Sequence, residues 1–257
     1  MKSIEVKILN PEVVAEAEKM MVFGARLTQR GHNIHNMDDL VELYNKDYKK
    51  STARVMAALP HPTIQKLGVI NIAVVGASRR FLAQITRHQN EIKFVSASLQ
   101  YSDYSGQAEF TVPYEIMETG EHAVSRYLDV CREQMDEYEH AVAMGVPHDA
   151  AGYMAPQGLR NILIMSATPY QFKHMIGQRT CRRNTLETRY VMLKIWEELY
   201  KLSPEMFRNS GPFCMNGPCK EGKMSCGRLI NKAWSPLEII KADFPLLAEK
   251  EVVSHEG

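Results

Sequence analysis

A chain of 257 residues, 45% hydrophobic and 24% charged, has material for one large domain or two small ones around a proper core. Its 31 lysines and arginines against 30 acidic residues leave a net charge of +1, which excludes a surface built as a whole for nucleic acid. No apolar run approaches a membrane span, and the opening MKSIEVKILNPE carries charges where a signal peptide needs an apolar stretch, so the cytoplasm is the expected location. Five cysteines, an odd number, predict no disulfide framework.

In chain order, Ile4, Val6 and Ile8 alternate with polar residues and predict a short strand. Asn10-Pro11 opens a helix through EVVAEAEKMM. Helical spacing over 38–59 (Leu40, Leu43, Tyr44, Val55, Met56) is ended by Pro60-His61-Pro62. GVINIAVVGAS reads as a strand closed by Gly76, with Ser78 as N-cap of a helix SRRFLAQITRHQ. That helix places Gln84, Arg87 and His88 beside its apolar face near the C-terminal end, before a strand carrying Ser98, Gln100 and Tyr101. A long amphipathic helix runs from Glu121 to about Met144, another opens at Pro169 and continues to Arg179, and LETRYVMLKIWEELYKL makes a third. Beyond Ser203 periodicity gives way to Gly, Pro, Cys and Lys. The expected fold is α+β, an antiparallel sheet flanked by long helices, with a domain over 1–202 and a Cys/Gly/Pro-containing extension over 203–257.

Three groups of residues look chemical. Gln84, Arg87 and His88, followed by Ser98, Gln100 and Tyr101, suit an anionic or heteroaromatic ligand; Arg87 and His88 capping the last carbonyls of their helix is the plainer alternative. The stretch HMIGQRTCRRNTLETR holds four arginines within eleven positions, with His174 and Glu187. A guanidinium fork matches phosphates, carboxylates and pyrimidine edges; against this stands a solvated helix face with Glu187–Arg183 pairing. Cys214, Cys219 and Cys226, separated by Gly and Pro, resemble a metal knuckle whose fourth ligand would come from afar, Cys181 or a histidine.

The first two groups, taken in order, resemble the flavin-dependent thymidylate synthases. Gln84 stands three residues before Arg87-His88, Gly76-Ala77-Ser78-Arg79 lies upstream, Ser98-x-Gln100-Tyr101-Ser102 follows, and His174, Arg179, Glu187 and Arg189 echo the downstream pattern over roughly residues 55–195. The sequence departs from that pattern at Gln89, at Gln100, and near Gly152, where the family carries arginines. Tyr170 and Thr168 stand where a flavin contact is usual, and Arg79, Arg80, Arg160, Arg182 and Arg183 are candidates to compensate.

The resemblance implies a homotetramer with shared active sites that methylates dUMP to dTMP, using FAD, NADPH and methylenetetrahydrofolate. It implies cofactor binding by His61, Arg87, His88, Gln89 and His174, and nucleotide binding by Gln84, Ser98, Gln100, Tyr101 and Arg179. Arg179 and Ser98 would be the catalytic pair. A metal at the C-terminal cysteines is a further expectation. Rival readings are alkylation of a different pyrimidine nucleotide, and a metal-containing nucleic-acid-binding module built on RTCRRN.

Overall fold

The structure, a computed structural model, describes residues 3–248. In chain order the elements are β1 (Glu5–Ile8), α1 (Pro11–Arg30), α2 (Met37–Asn45), α3 (Lys50–Ala58), β2 (Ile70–Ser78), α4 (Arg79–Ile85), β3 (Ile92–Ser96) and α5 (Tyr114–Thr119). The second half adds α6 (Glu121–Ala143), α7 (His148–Ala151), β4 (Arg160–Ala167), α8 (Pro169–Arg179), α9 (Leu186–Leu202), α10 (Pro204–Phe207) and α11 (Pro236–Asp243). The fold is α+β, as expected, with one antiparallel sheet in the order β1-β2-β4-β3.

One sheet face is dry. Ile70, Ile72 and Val74 of β2 and Leu163, Met165 and Ala167 of β4 are buried, and α1 and α9 pack against the sheet on that side. The opposite face keeps apolar side chains in solvent: Ile162, Val95 and Val75 are 51%, 67% and 38% exposed. The central strand β4 carries no signal of alternation, because Ile162 and Ile164 make its outward face as apolar as its inward one.

The continuous helical spacing over 38–59 resolves into two helices. Arg26 of α1 donates to the carbonyls of Lys46 and Asp47 at 2.6 and 2.7 Å, and Tyr48 donates to Glu18 at 2.9 Å. These bonds hold the intervening backbone extended on α1, so the helix cannot continue through it. Of the expected extension over 203–257, residues 249–257 lie outside the described residues; the described part packs into the same core as the rest, with Phe207, Ile239, Ile240 and Phe244 fully buried within it.

Two strand-to-helix junctions position the site. At the end of β2 a bulge falls between Val75 and Ala77, where Gly76 has φ +90; a Cβ there would lie 2.1 Å from a guanidinium nitrogen of Arg160. Only glycine fits that left-handed, crowded position. Ser78 then caps α4, its Oγ accepting from the Phe81 N–H at 3.1 Å, as its position before the helix predicts. At the end of β4, Thr168 caps α8 in the same way, accepting from the Gln171 N–H at 3.3 Å, with Pro169 at the first helical position.

Candidate active site

The C-terminal ends of α4 and α8 meet, and their last residues are joined by hydrogen bonds. Arg179 donates from Nε to His88 Nε2 at 2.8 Å, from one terminal nitrogen to Asn184 Oδ1 at 3.3 Å, and from the other to the Gln84 carbonyl at 3.2 Å. Two helix C-termini supply negative dipole ends, which favour cations there. Gln84, His88 and Arg179 therefore come together as the sequence pattern anticipated, and Arg87 stands beside them.

The electrostatics of this join are specific. Burial, followed by the charges of Arg179 and His174, lowers the His88 pKa to about 4. The imidazole is neutral at physiological pH, its Nε2 accepts from Arg179, and its Nδ1 carries the proton. Burial and then Arg87 also lower the Arg179 pKa from its ordinary value. Among the described residues no hydrogen bond or ion pair engages the exposed Arg87 guanidinium, so a concentrated positive field faces outward.

The local backbone corrects two expectations. Helix α4 ends at Ile85, with Thr86 at its C-cap donating to the Leu82 carbonyl at 2.8 Å, so Arg87 and His88 lie in the turn after the helix. Thr86 closes the helix, and the His88 side chain goes to Arg179 instead of capping carbonyls. Strand β3 likewise ends at Ser96, and Ser98 to Tyr101 form a turn beyond it. Ser98 Oγ accepts from the Gln100 N–H at 3.1 Å, which fixes the turn, while Gln100 and Tyr101 are exposed.

Helix α9 is the scaffold behind these residues. Thr185 and Thr188 donate to Gln84 Oε1 at 2.8 and 2.7 Å, leaving the amide N–H groups of Gln84 as its outward donors. Glu187 accepts from the Ser78 N–H at 2.7 Å and the Ser78 hydroxyl at 2.6 Å, clamping the start of α4 to α9. Burial raises the Glu187 pKa against the opposing effect of these bonds. The Glu187–Arg183 pairing considered from spacing does not form: Glu187 turns to Ser78, and Arg183 donates to the Met224 carbonyl. Thr185, Thr188 and Asn184 were not singled out from the sequence, where threonine before a helix signals only a cap.

Other predicted residues lie outside this hydrogen-bonded join, although His174 acts on His88 through its charge. His61 and Gln89 are exposed on loops. His174, exposed on α8, faces Phe213 with ring centroids 6.0 Å apart and lines a cavity of about 260 Å³ with Tyr170, Lys173 and Ser210. Of the candidate compensating arginines, Arg182 is bound to Asp243 at 2.8 Å, Arg183 to Met224, and Arg160 to the Ser3 carbonyl at 3.1 Å. Near Gly152 a Cβ would lie 3.3 Å from the Leu99 side chain, which would have to shift slightly to admit one.

Cys214, Cys219 and Cys226 line one cavity together with Cys181. Among the described residues, however, no three His, Cys, Asp or Glu side chains are grouped to hold a metal ion, so the three-cysteine knuckle is corrected. The nucleic-acid module loses its metal by the same finding, and two of its arginines, Arg182 and Arg183, are engaged within the chain.

Residues 12–205 match the family described as thymidylate synthase complementing protein. The chain belongs to this family. A flavin-dependent thymidylate synthase from Geobacter sulfurreducens is 25% identical over 214 residues, spanning 83% of this chain and 90% of its own. One from Clostridium tetani is 24% identical over 244 residues, spanning 88% and 95%. The crystal structure of the UMP/dUMP methylase PolB from Streptomyces cacaoi, bound with 5-Br dUMP, superposes with a TM-score of 0.62 at 14% identity, covering 80% of this chain and 94% of that one. As a member of the thymidylate synthase complementing protein family, the chain therefore joins a fold already known from a nucleotide-bound protein. No helix among the described residues is long and apolar enough to cross a membrane.

Proposed function

We propose that the protein methylates dUMP to dTMP, with methylenetetrahydrofolate as carbon donor and NADPH-reduced FAD as hydride source. The observation that carries this reading is the hydrogen-bonded join of Arg179, His88 and Gln84 across the ends of α4 and α8, with Arg87 open beside it. This donor set fits a flavin: an uncommitted guanidinium suits its diphosphate, and a neutral imidazole suits its ring system. Arg87 and His88 would hold the cofactor, with Gln89 and His174 at its border and His61 toward the folate. The bound flavin supplies hydride transfer, and the protein supplies position and electrostatics.

Gln84 offers the nucleotide its free amide N–H groups, because α9 already occupies its oxygen. Ser98, Gln100 and Tyr101 would form the other wall of the nucleotide site. Arg179 is held in place by three protein acceptors and retains unused N–H groups for the uracil edge. A cation fixed before the reaction stabilises negative charge developing on that ring without reorganising. Assembly into a homotetramer with shared sites would cover the exposed apolar sheet face of Val75, Ile162 and Val95.

One observation favours a second reading, alkylation of a different pyrimidine nucleotide. Gly152 against Leu99 leaves no side chain where the family pattern places an arginine, and Gln100 carries no charge. The test is anaerobic incubation of FAD-loaded protein with NADPH, methylenetetrahydrofolate and dUMP, UMP or dCMP. dTMP from dUMP is the expected product. Product from UMP or dCMP alone transfers the assignment to the second reading, and none from any of the three overturns both.

A further inference from the structure

Lys173 and Ser210 line one cavity of about 260 Å³ on the flank of α8, and each lacks the partner that its chemistry asks for. Lys173 donates to the Ala57 carbonyl and to Gln65 Oε1, which leaves one of its three ammonium N–H groups. Both acceptors are neutral, and among the described residues no carboxylate pairs with this half-buried ammonium. Ser210 is 3% exposed, and among the described residues its hydroxyl has no hydrogen-bond partner. An ammonium drawn out of water without a counter-charge and a buried hydroxyl without a partner both cost stability.

The hydroxyl cannot turn away by moving its backbone. The Ser210 N–H donates to the Phe207 carbonyl at 3.2 Å, and a Cβ on the neighbouring Gly211 would lie 2.7 Å from the Trp196 ring, so the chain is closed against α9 there. Lys173 is fixed in turn by its two bonds across to α3 and the turn that follows it.

The other walls define what fits. Among the described residues that line the cavity none is acidic and none is an arginine, while Tyr170, Phe213 and Leu59 supply aromatic and aliphatic surface. An ammonium beside a hydroxyl matches a carboxylate; a phosphate is better met by guanidinium forks, and a cation is repelled. The ligand that fits is therefore a carboxylate on an aromatic or apolar body. The choice of ligand rests on the reaction proposed above, in which dUMP, FAD and NADPH carry phosphates and methylenetetrahydrofolate alone carries carboxylates, on an aminobenzoyl ring. Lys173 stands six residues before Arg179 on α8, about 9 Å of helix rise. We propose that this cavity binds the glutamate end of the one-carbon donor, with Lys173 and Ser210 donating to its carboxylates and Phe213 and Tyr170 flanking its ring.

The probe that tests this is 4-aminobenzoylglutamate, which holds the carboxylates and the ring but neither pterin nor phosphate. Isothermal titration of the full, FAD-loaded chain is expected to show it binding at least about tenfold more tightly than 4-aminobenzamide, which has no carboxylate. Lys173→Met and Ser210→Ala should each weaken the probe roughly ten- to hundredfold, the loss of one hydrogen bond to a charged acceptor. Urea unfolding of the ligand-free chain separates this from a structural role: Ser210→Ala removes a hydroxyl with no partner among the described residues, so the unfolding midpoint should hold or rise. No binding to the unmodified chain, equal affinity for the carboxylate-free ring, or unchanged affinity in either variant overturns the proposal, even where dTMP is formed. Probe binding that is lost in both variants, with no nucleotide methylated, upholds the carboxylate site and overturns the reaction alone.

Discussion

At the scale of single residues, Arg179 and Arg87 are both arginines but serve different ends. Arg179 is immobilised by His88, Asn184 and Gln84, so its removal should act on the chemical step. Arg179→Ala is expected to lower turnover by on the order of 10²–10³-fold with flavin retention little changed; steady-state kinetics beside a flavin titration checks both. Arg87→Ala should do the reverse, weakening flavin affinity roughly ten- to hundredfold through loss of one charge-assisted contact, measured by fluorescence quenching of the dye. His88 gives a further prediction. Its folded pKa of about 4 lies below the ordinary 6.5, so between those values the unfolded chain binds the extra proton. Stability contributed by His88 is therefore present above pH 6.5 and lost as pH falls towards 4. An NMR titration of the ring should show a midpoint near the lower value, and His88→Gln should flatten the acid limb of the stability curve.

At the scale of elements, the site depends on α8 and α4 being held in a fixed relation. Glu187 clamps the start of α4, and Thr185 and Thr188 hold its far end through Gln84. On the other side of α8, Lys173 donates to the Ala57 carbonyl at 3.0 Å and to Gln65 Oε1 at 2.8 Å, tying α8 to α3 and the turn that follows it. Burial lowers the Lys173 pKa from 10.5 to about 8. The unfolded lysine keeps its proton to higher pH than the folded one, so stability from this group rises as pH goes from about 8 to 10.5. Chemical denaturation across that range should show the rise in the native chain, and Lys173→Met should remove it.

At the scale of the whole molecule, the residues of α11 and the one after it complete the core. Asp243 at the end of α11 receives Arg182 at 2.8 Å and is also bound by Arg189, a buried arginine of α9. Burial alone would raise the Asp243 pKa, but the bonds from Arg182 and then Arg189 outweigh it and hold it below the usual value. Its stabilisation is thus present above the ordinary aspartate range and lost on acidification through the folded pKa. Asp243→Asn leaves Arg189 buried without its counter-charge and is expected to cost roughly 3 kcal/mol, measured by urea unfolding. Phe244 lies beneath, stacked edgewise on Tyr114 and Tyr190 with centroids 5.2 and 5.5 Å away, so the C-terminal segment is part of the cooperative unit.

Much was decided by the chain before it folded. Ser78 before an apolar helix face, Pro169 at a first helical turn, and the periodic apolar residues of α6 and α9 are local signals, and each element forms where its own residues require. The grouping of Gln84, Arg87 and His88 was equally legible, because three residues so close in sequence cannot separate far. The partners that give them their properties were not. His88 is neutral because packing buries it and then because the charge of Arg179, ninety-one positions away, lies against it; Gln84 is left its nitrogen as a donor because α9 occupies its oxygen. The same holds for β4, which became an inner strand of the sheet by pairing on both edges, and for Cys181, which lines one cavity with Cys214, Cys219 and Cys226 of the C-terminal segment. Local propensity acts over a few bonds, whereas burial, charge and hydrogen-bond partnership depend on which distant surfaces meet, and only the packed chain settles that.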